Sequence, residues 1–283
     1  MNRVTELFGR PTKGRASAHW AELVRGQWCP YLDTRCTKVR KSQPDVSIGT
    51  CTVRHGSEQR HIVICPHRLL ERSQVFVDSI HPLTLHEPGN ELHVVNELRV
   101  PGGRVDHCLV SVRGTTVVDF VGIELQTIDT TGTVWPERQR FLQSKGIAVD
   151  AADAESAKPF GMNWKMTAKT TLVQMHHKAG TFDHIGKHLV LALQDHLLHY
   201  MADQFDFADI GGPHLGDAVH FHAYSLSQKG SGLRLALAER LSTDESGIAR
   251  CLGLAASRNV DLSQIISQLE ARISSKTVLR IGP

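Results

Sequence analysis

The chain has 283 residues, 41% hydrophobic and 22% charged, with a net charge of +3. These are the proportions of an ordinary globular protein with room for a sizeable core, and they exclude a low-complexity or fibrous chain. No apolar run approaches the roughly 18 residues of a membrane helix, and the first residues, Met1-Asn2-Arg3-Val4-Thr5-Glu6, lack the apolar core of a secretory signal, so a cytoplasmic protein is expected.

Residues 1–75 hold 13 Lys and Arg against 6 Asp and Glu, while the remainder holds 19 against 23. A basic N-terminal part suits a polyanionic partner such as nucleic acid; a solvated basic surface is the plainer account. The segment reads as a polar, irregular module with a short helix near Trp20–Arg25, and the expected division is 1–75 for this module and 76–283 for the main body. Residues 76–100 mix helical and turn signals, with Pro82 and a Pro88-Gly89-Asn90 breaker. Two strand-like runs follow, Val105–Val112 and Thr116–Gln126, around an Arg113-Gly114-Thr115 hairpin turn. Residues 148–159 read as a loop. Trp164 to His177 reads as a helix stopped by Gly180. His188–Leu193 has the unbroken apolar character of a buried strand, followed by a helix from Asp195 to Gln204. Ala218–Leu226 and Gly232–Arg240 are strand candidates, and Glu245–Leu252 and Leu262–Ser274 are helix candidates. A mixed central sheet flanked by helices, α/β or α+β, is the consistent architecture.

Four of the six cysteines, Cys29, Cys36, Cys51 and Cys65, fall within 37 residues. In a reducing compartment such a cluster points to metal rather than disulfides. Four thiolates form a closed tetrahedral site for zinc or a single iron, which would be structural because no position is left open. Four buried free thiols are the alternative.

Side chains on a strand alternate between faces. Glu124 and Gln126 therefore project together, with Gly122 beside them leaving room for an approaching group. Asp106 opens the preceding strand and lies near the Glu124 end if the two runs pair as a hairpin. Two convergent carboxylates make an oxygen site for Mg²⁺, which polarises a phosphodiester and lowers the pKa of water; Gln126 could orient that water. Glu97, just upstream, is a candidate fourth member, as ligand or base. An Asp at a strand start and a Glu in a strand are often surface residues, but a carboxylate inside Val-Val-Asp-Phe-Val-Gly-Ile-Glu-Leu-Gln is costly unless paired or metal-bound.

These residues together resemble the NotI-type restriction endonucleases, in the nuclease superfamily with the Asp…(Glu)-x-Lys active site. The resemblance rests on Trp28-Cys29-Pro30, Cys36-Thr37-Lys38-Val39-Arg40-Lys41, Gly49-Thr50-Cys51-Thr52-Val53, Ile64-Cys65-Pro66-His67-Arg68, Gly103-Arg104-Val105-Asp106, the run from Phe120 to Gly132, and Asn163-Trp164-Lys165-Met166-Thr167-Ala168-Lys169-Thr170. It implies a homodimer that cuts both strands of a palindromic DNA site with Mg²⁺ held by Asp106 and Glu124. It places Gln126 where the wider superfamily has Lys, matches Glu97 to an upstream glutamate, and makes the cysteine site one that looks like iron rather than zinc.

Lys165 and Lys169, one helical turn apart, share a face that could follow a phosphate backbone; Arg138 and Arg140 are further candidates for DNA contact. An ordinary solvated helix face accounts for the same pattern. His176, His177, His184, His188, His196 and His199 fall within 24 residues, but read as ordinary surface and core histidines. No Walker-type loop or Gly-x-Ser-x-Gly elbow is present, so no nucleotide cofactor is expected. The expected activity is type II site-specific DNA cleavage; the alternative is a non-catalytic, metal-stabilised DNA-binding protein.

Overall fold

Strand pairing in the centre of the molecule follows from three antiparallel pairings of consecutive strands and two parallel crossovers. The computed structural model describes residues 2–13, 19–230, 232–254, 266–268 and 270–271. The N-terminal part contributes β1 (Val4–Leu7), β2 (Arg10–Pro11), β7 (Thr50–His55) and β8 (Arg60–Val63), which form a four-stranded sheet, and two short ribbons, β3 (Trp28–Cys29) with β4 (Thr34–Arg35) and β5 (Val39–Arg40) with β6 (Gln43–Ser47). A second sheet has the order β16-β15-β14-β11-β10-β9, built from β9 (Glu91–Val100), β10 (Gly103–Arg113), β11 (Thr116–Gln126), β14 (His188–Gln194), β15 (Val219–Lys229) and β16 (Gly232–Thr243). A last ribbon pairs β12 (Thr130–Gly132) with β13 (Phe160–Met162). The helices are α1 (Trp20–Gly26), α2 (Gln74–Asp78), α3 (Trp135–Ser144), α4 (Ala151–Glu155), α5 (Trp164–His184), α6 (Asp195–Gln204) and α7 (Glu245–Cys251).

The six-stranded sheet is mixed, as expected. β11, β14 and β15 run parallel, and β9, β10 and β16 run antiparallel to their neighbours. β14 sits at the centre and is buried along almost its whole length, which is why His-Leu-Val-Leu-Ala-Leu-Gln reads as a continuous apolar run rather than an alternating one. Leu189, Leu191, Leu193, Val219 and Phe221 pack on one face with Ala168, Leu172, Met175, Phe182 and Ile248. Val121, Ile123, Leu125, Val190 and Tyr224 pack on the other with Leu69, Val75 and Leu83.

Three local expectations are corrected. The helix does not stop at Gly180 but runs to His184, and Gly186, at φ +61, lies just beyond its end. Gly180 is instead a close-approach residue: a Cβ there would stand 3.0 Å from the Glu245 carboxylate. Residues 91–100, read as a mixture of helical and turn signals, form a ten-residue strand exposed along nearly all of its length. The stretch read as a loop, 148–159, contains α4, whose Asp153 receives bidentate hydrogen bonds from Arg40 at 2.7 and 2.8 Å and one from Trp135 Nε1 at 2.7 Å.

Residue 75 marks no break in packing. Val53, Ile62 and Ile64 belong to the same core as the central sheet, and Gln194 donates to His61 O at 2.7 Å while accepting from Val63 N at 2.9 Å. The fully buried Arg68 donates to Glu6, Glu71 and Leu233 O, so strand β1 and strand β16 are held by one guanidinium.

A candidate active site between the hairpin and α5

The β10–β11 hairpin sets His107 opposite Ile123 and Cys108 opposite Gly122. One step beyond, Asp106 faces Glu124, and side chains so placed have Cβ atoms roughly 5 Å apart on one face of the sheet. Asp106 Oδ2 accepts the Leu125 N–H at 2.9 Å, which turns that carboxylate toward β11. Asp106, Glu124 and Gln126 line a small cavity of about 170 Å³ together with Thr171, Gln174, Met175 and Leu191. The roof is α5: Thr171, Gln174, Met175 and Lys178 recur at three- and four-residue spacing and share a helix face.

Lys178 was not anticipated. Its side chain is 7% exposed and its Nζ stands 2.5 Å from Glu124 Oε1. The signal lay in the periodicity: Thr171, Leu172, Met175, Lys178, Ala179 and Phe182 are all buried on α5, and a lysine in that series is a buried charge needing a partner. The Glu124 pKa is raised to about 7 on balance: burial pushes it up most, Lys178 pulls it down by hydrogen bond and charge, and Asp106 raises it. The neighbouring Cys108 thiol is pushed up to about 11 by burial and by Glu124. Gln126 Nε2 donates to Thr127 O at 2.6 Å, which leaves Oε1 as its acceptor toward the cavity.

Gly122 does not provide the expected room. A Cβ there would stand 2.7 Å from Phe182 Cζ and 2.9 Å from Leu189 Cδ1, so the glycine admits the Phe182 ring beneath Glu124. Glu97 lies on β9 in register opposite Asp106, since Leu98 faces Val105 and Asn96 faces His107. Its backbone is left-handed at φ +56, and its exposed carboxylate pairs with Arg104 at 2.7 Å rather than joining the cavity. At the turn between β9 and β10, Thr181 Oγ1 on α5 donates to Pro101 O at 3.1 Å, and Gly102, at φ +88, packs directly on the His177 carbonyl.

The candidate DNA contacts separate. Lys165 and Lys169 are exposed on α5, on a face turned away from the one that roofs the cavity. Arg138 is 2% exposed; it donates to Ile48 O at 2.7 Å and to Gln139 Oε1 at 2.7 Å, and burial lowers its pKa to about 10. Its guanidinium is therefore a structural tie and is not presented to a ligand. Arg140 donates to Ala154 O and Ser156 O and pairs with Glu137 at 3.0 Å, which likewise commits it to α4.

All four clustered cysteines are buried. Backbone N–H groups point at three of the sulfurs: those of Tyr31 and Leu32 at Cys29, Gly9 at Cys51 and His67 at Cys65. Burial pushes the Cys29, Cys51 and Cys65 thiols up, and neighbouring cysteines push the same way: Cys36 on Cys29, Cys65 and Cys29 on Cys51, and Cys36 and Cys29 on Cys65. The sulfurs thus share one neighbourhood in which burial disfavours the thiolate form, while N–H groups from the two Cys-Pro turns at 29–30 and 65–66 would favour it if a cation were bound. Among the described residues, however, no group of three or more His, Cys, Asp or Glu is arranged to hold a metal ion. The clustered histidines disperse: His196 and His199 line a separate cavity with Trp164 and Tyr200, while His188 approaches His220 at 3.2 Å.

No protein-family model and no curated protein matches the chain. Among the described residues, no helix is long and apolar enough to cross a membrane.

Proposed function

We propose that the protein is a Mg²⁺-dependent endonuclease that hydrolyses phosphodiester bonds of double-stranded DNA, of the type II, site-specific kind that the sequence resembles. The observation that carries this reading is the register of the β10–β11 hairpin, which sets Asp106 against Glu124 at a cavity also lined by Gln126. Asp106 and Glu124 would hold the magnesium ion, and the ion would supply positive charge to the scissile phosphate and acidify a water. Gln126 Oε1 accepts a hydrogen bond from the attacking water and orients it. Lys178 provides, from α5, the positive charge that Gln126 cannot provide on the strand, and holds Glu124 in place. The four buried thiols lie in one neighbourhood with N–H groups aimed at three of their sulfurs, and a structural iron or zinc ion held there would fix the basic N-terminal part, although the cysteines as they stand do not form a coordinating group.

The test is digestion of unmethylated DNA, from phage-sized up to a whole bacterial genome, with Mg²⁺ or with EDTA. Discrete Mg²⁺-dependent fragments, lost in Glu124→Ala while DNA binding persists, support the reading. Mg²⁺-independent binding without new DNA ends on either substrate would instead identify a non-catalytic DNA-binding protein, and cutting retained in Glu124→Ala would remove the assigned site.

A further inference from the structure

β9 is the outermost strand of the central sheet, and no strand pairs with its outer edge among the described residues. Nine of its ten residues are exposed, among them Leu92, Val94, Val95 and Leu98, each at least 39% exposed. An open edge this long and apolar is a template for another strand. Its sequence, Glu91-Leu92-His93-Val94-Val95-Asn96-Glu97-Leu98-Arg99-Val100, is complementary to itself. Laid antiparallel about Val95, Glu91 faces Arg99, Leu92 faces Leu98, His93 faces Glu97 and Val95 faces Val95. Alternation puts the charged pairs on one face and the leucine pairs on the other. Neighbouring registers are penalised. Centring on Val94 sets Glu91 against Glu97, and centring on Asn96 sets His93 against Arg99, so one register is selected by charge.

We infer that β9 is a dimerisation strand, by which two copies of this chain join edge to edge about a two-fold axis at Val95 and form one continuous sheet. The exposed intrachain contacts His93–Glu91 at 3.3 Å and Glu97–Arg104 at 2.7 Å cost little to exchange for contacts across the axis. The left-handed backbone at Glu97 interrupts the ladder at that one position, so the pairs Glu91–Arg99 and Leu92–Leu98 carry the register. A two-fold axis perpendicular to the sheet leaves both Asp106/Glu124 cavities open on the same face, roughly 20 Å apart from strand spacing and rise. The inference stands on the strand itself and not on nuclease activity.

The test is sedimentation of the full chain without DNA or Mg²⁺, so that its outcome is independent of catalysis. The wild type sediments as a dimer. Glu91→Arg and Arg99→Glu each weaken the dimer by about tenfold, because the symmetry places each change at two pairs. The double variant Glu91→Arg/Arg99→Glu restores it. Val95→Cys forms an interchain disulfide on mild oxidation, which reads the axis directly. All of these positions are exposed, so circular dichroism should show unchanged folding. A monomeric wild type would overturn the inference. So would a dimer indifferent to the charge swaps.

Discussion

Lys178 on α5 and Glu124 on β11 meet 2.5 Å apart with side chains 7% and 13% exposed, yet the glutamate retains a proton up to about pH 7. Burial therefore outweighs one well-placed positive charge. A carboxyl held in that condition is poised for a cation, because a second positive charge completes what Lys178 begins.

The first prediction follows from the sign of that shift. Between pH 4.5 and about 7 the folded chain holds a proton at Glu124 that the unfolded chain has released, so stability from this group falls as pH rises through that window and is constant above it. The effect is on the order of 3 kcal/mol at most. Urea denaturation at pH 5 and pH 8 should show a smaller loss in Glu124→Gln than in the wild type. Millimolar Mg²⁺ should recover stability at pH 8 in the wild type alone.

Replacing Lys178 with Met removes both influences that lower the Glu124 pKa. The pH needed for half-maximal DNA cleavage should then move upward by about one unit or more, with cleavage at neutral pH reduced at least tenfold. Lys178→Arg should recover part of the profile. A merely structural lysine would lower the amount of folded enzyme without moving the profile.

Arg138→Ala should cost about 2–4 kcal/mol in chemical denaturation, since it strips the Ile48 carbonyl, and the Ser47 carbonyl 3.4 Å from the guanidinium, of their donor. Lys165→Ala and Lys169→Ala should each stay within about 0.5 kcal/mol of wild type. If these lysines touch the phosphate backbone, each substitution should also reduce the salt dependence of DNA binding by about one unit of slope. Arg140→Ala should leave that slope unchanged.

Elemental analysis should find close to one iron or zinc per chain, and Cys29→Ser or Cys65→Ser should lose it together with several degrees of thermal stability. Full stability with no bound metal would make the four thiols ordinary core residues.

Much of this arrangement was legible because strands carry a strict period of two. The alternation in Thr116–Gln126 puts Glu124 and Gln126 on one face, but the Arg113–Thr116 pairing extended without interruption would set Asp106 opposite Ile123; a bulge between Ser111 and Val112, which takes up Val118, shifts the register by one and brings Asp106 to Glu124. Four features escaped for identifiable reasons. β9 is exposed on both faces, so no core imposed an alternating pattern on it. Gly180 resembled a helix stop, but the reason for a glycine there is the Glu245 carboxylate on α7, a residue 65 positions away. Gly122 was read as leaving room for an approaching group, but what fills that space is Phe182, which only the path of α5 over the sheet determines. Arg138 looked like a surface arginine because local sequence carries no sign of the carbonyls it meets at 47–48.

The contact at Gly102 has a mechanical meaning. A turn pressed against the His177 carbonyl and held by Thr181 rivets the strand bearing Asp106 to the helix bearing Lys178, one residue from that lysine. The two walls of the cavity cannot then drift apart independently: a load that tilts α5, such as a duplex settling across it, would drag the hairpin with it. A bulkier residue at 102 would prise this joint open, loosening the aim of Asp106 and Lys178 together while leaving every group that lines the cavity chemically intact.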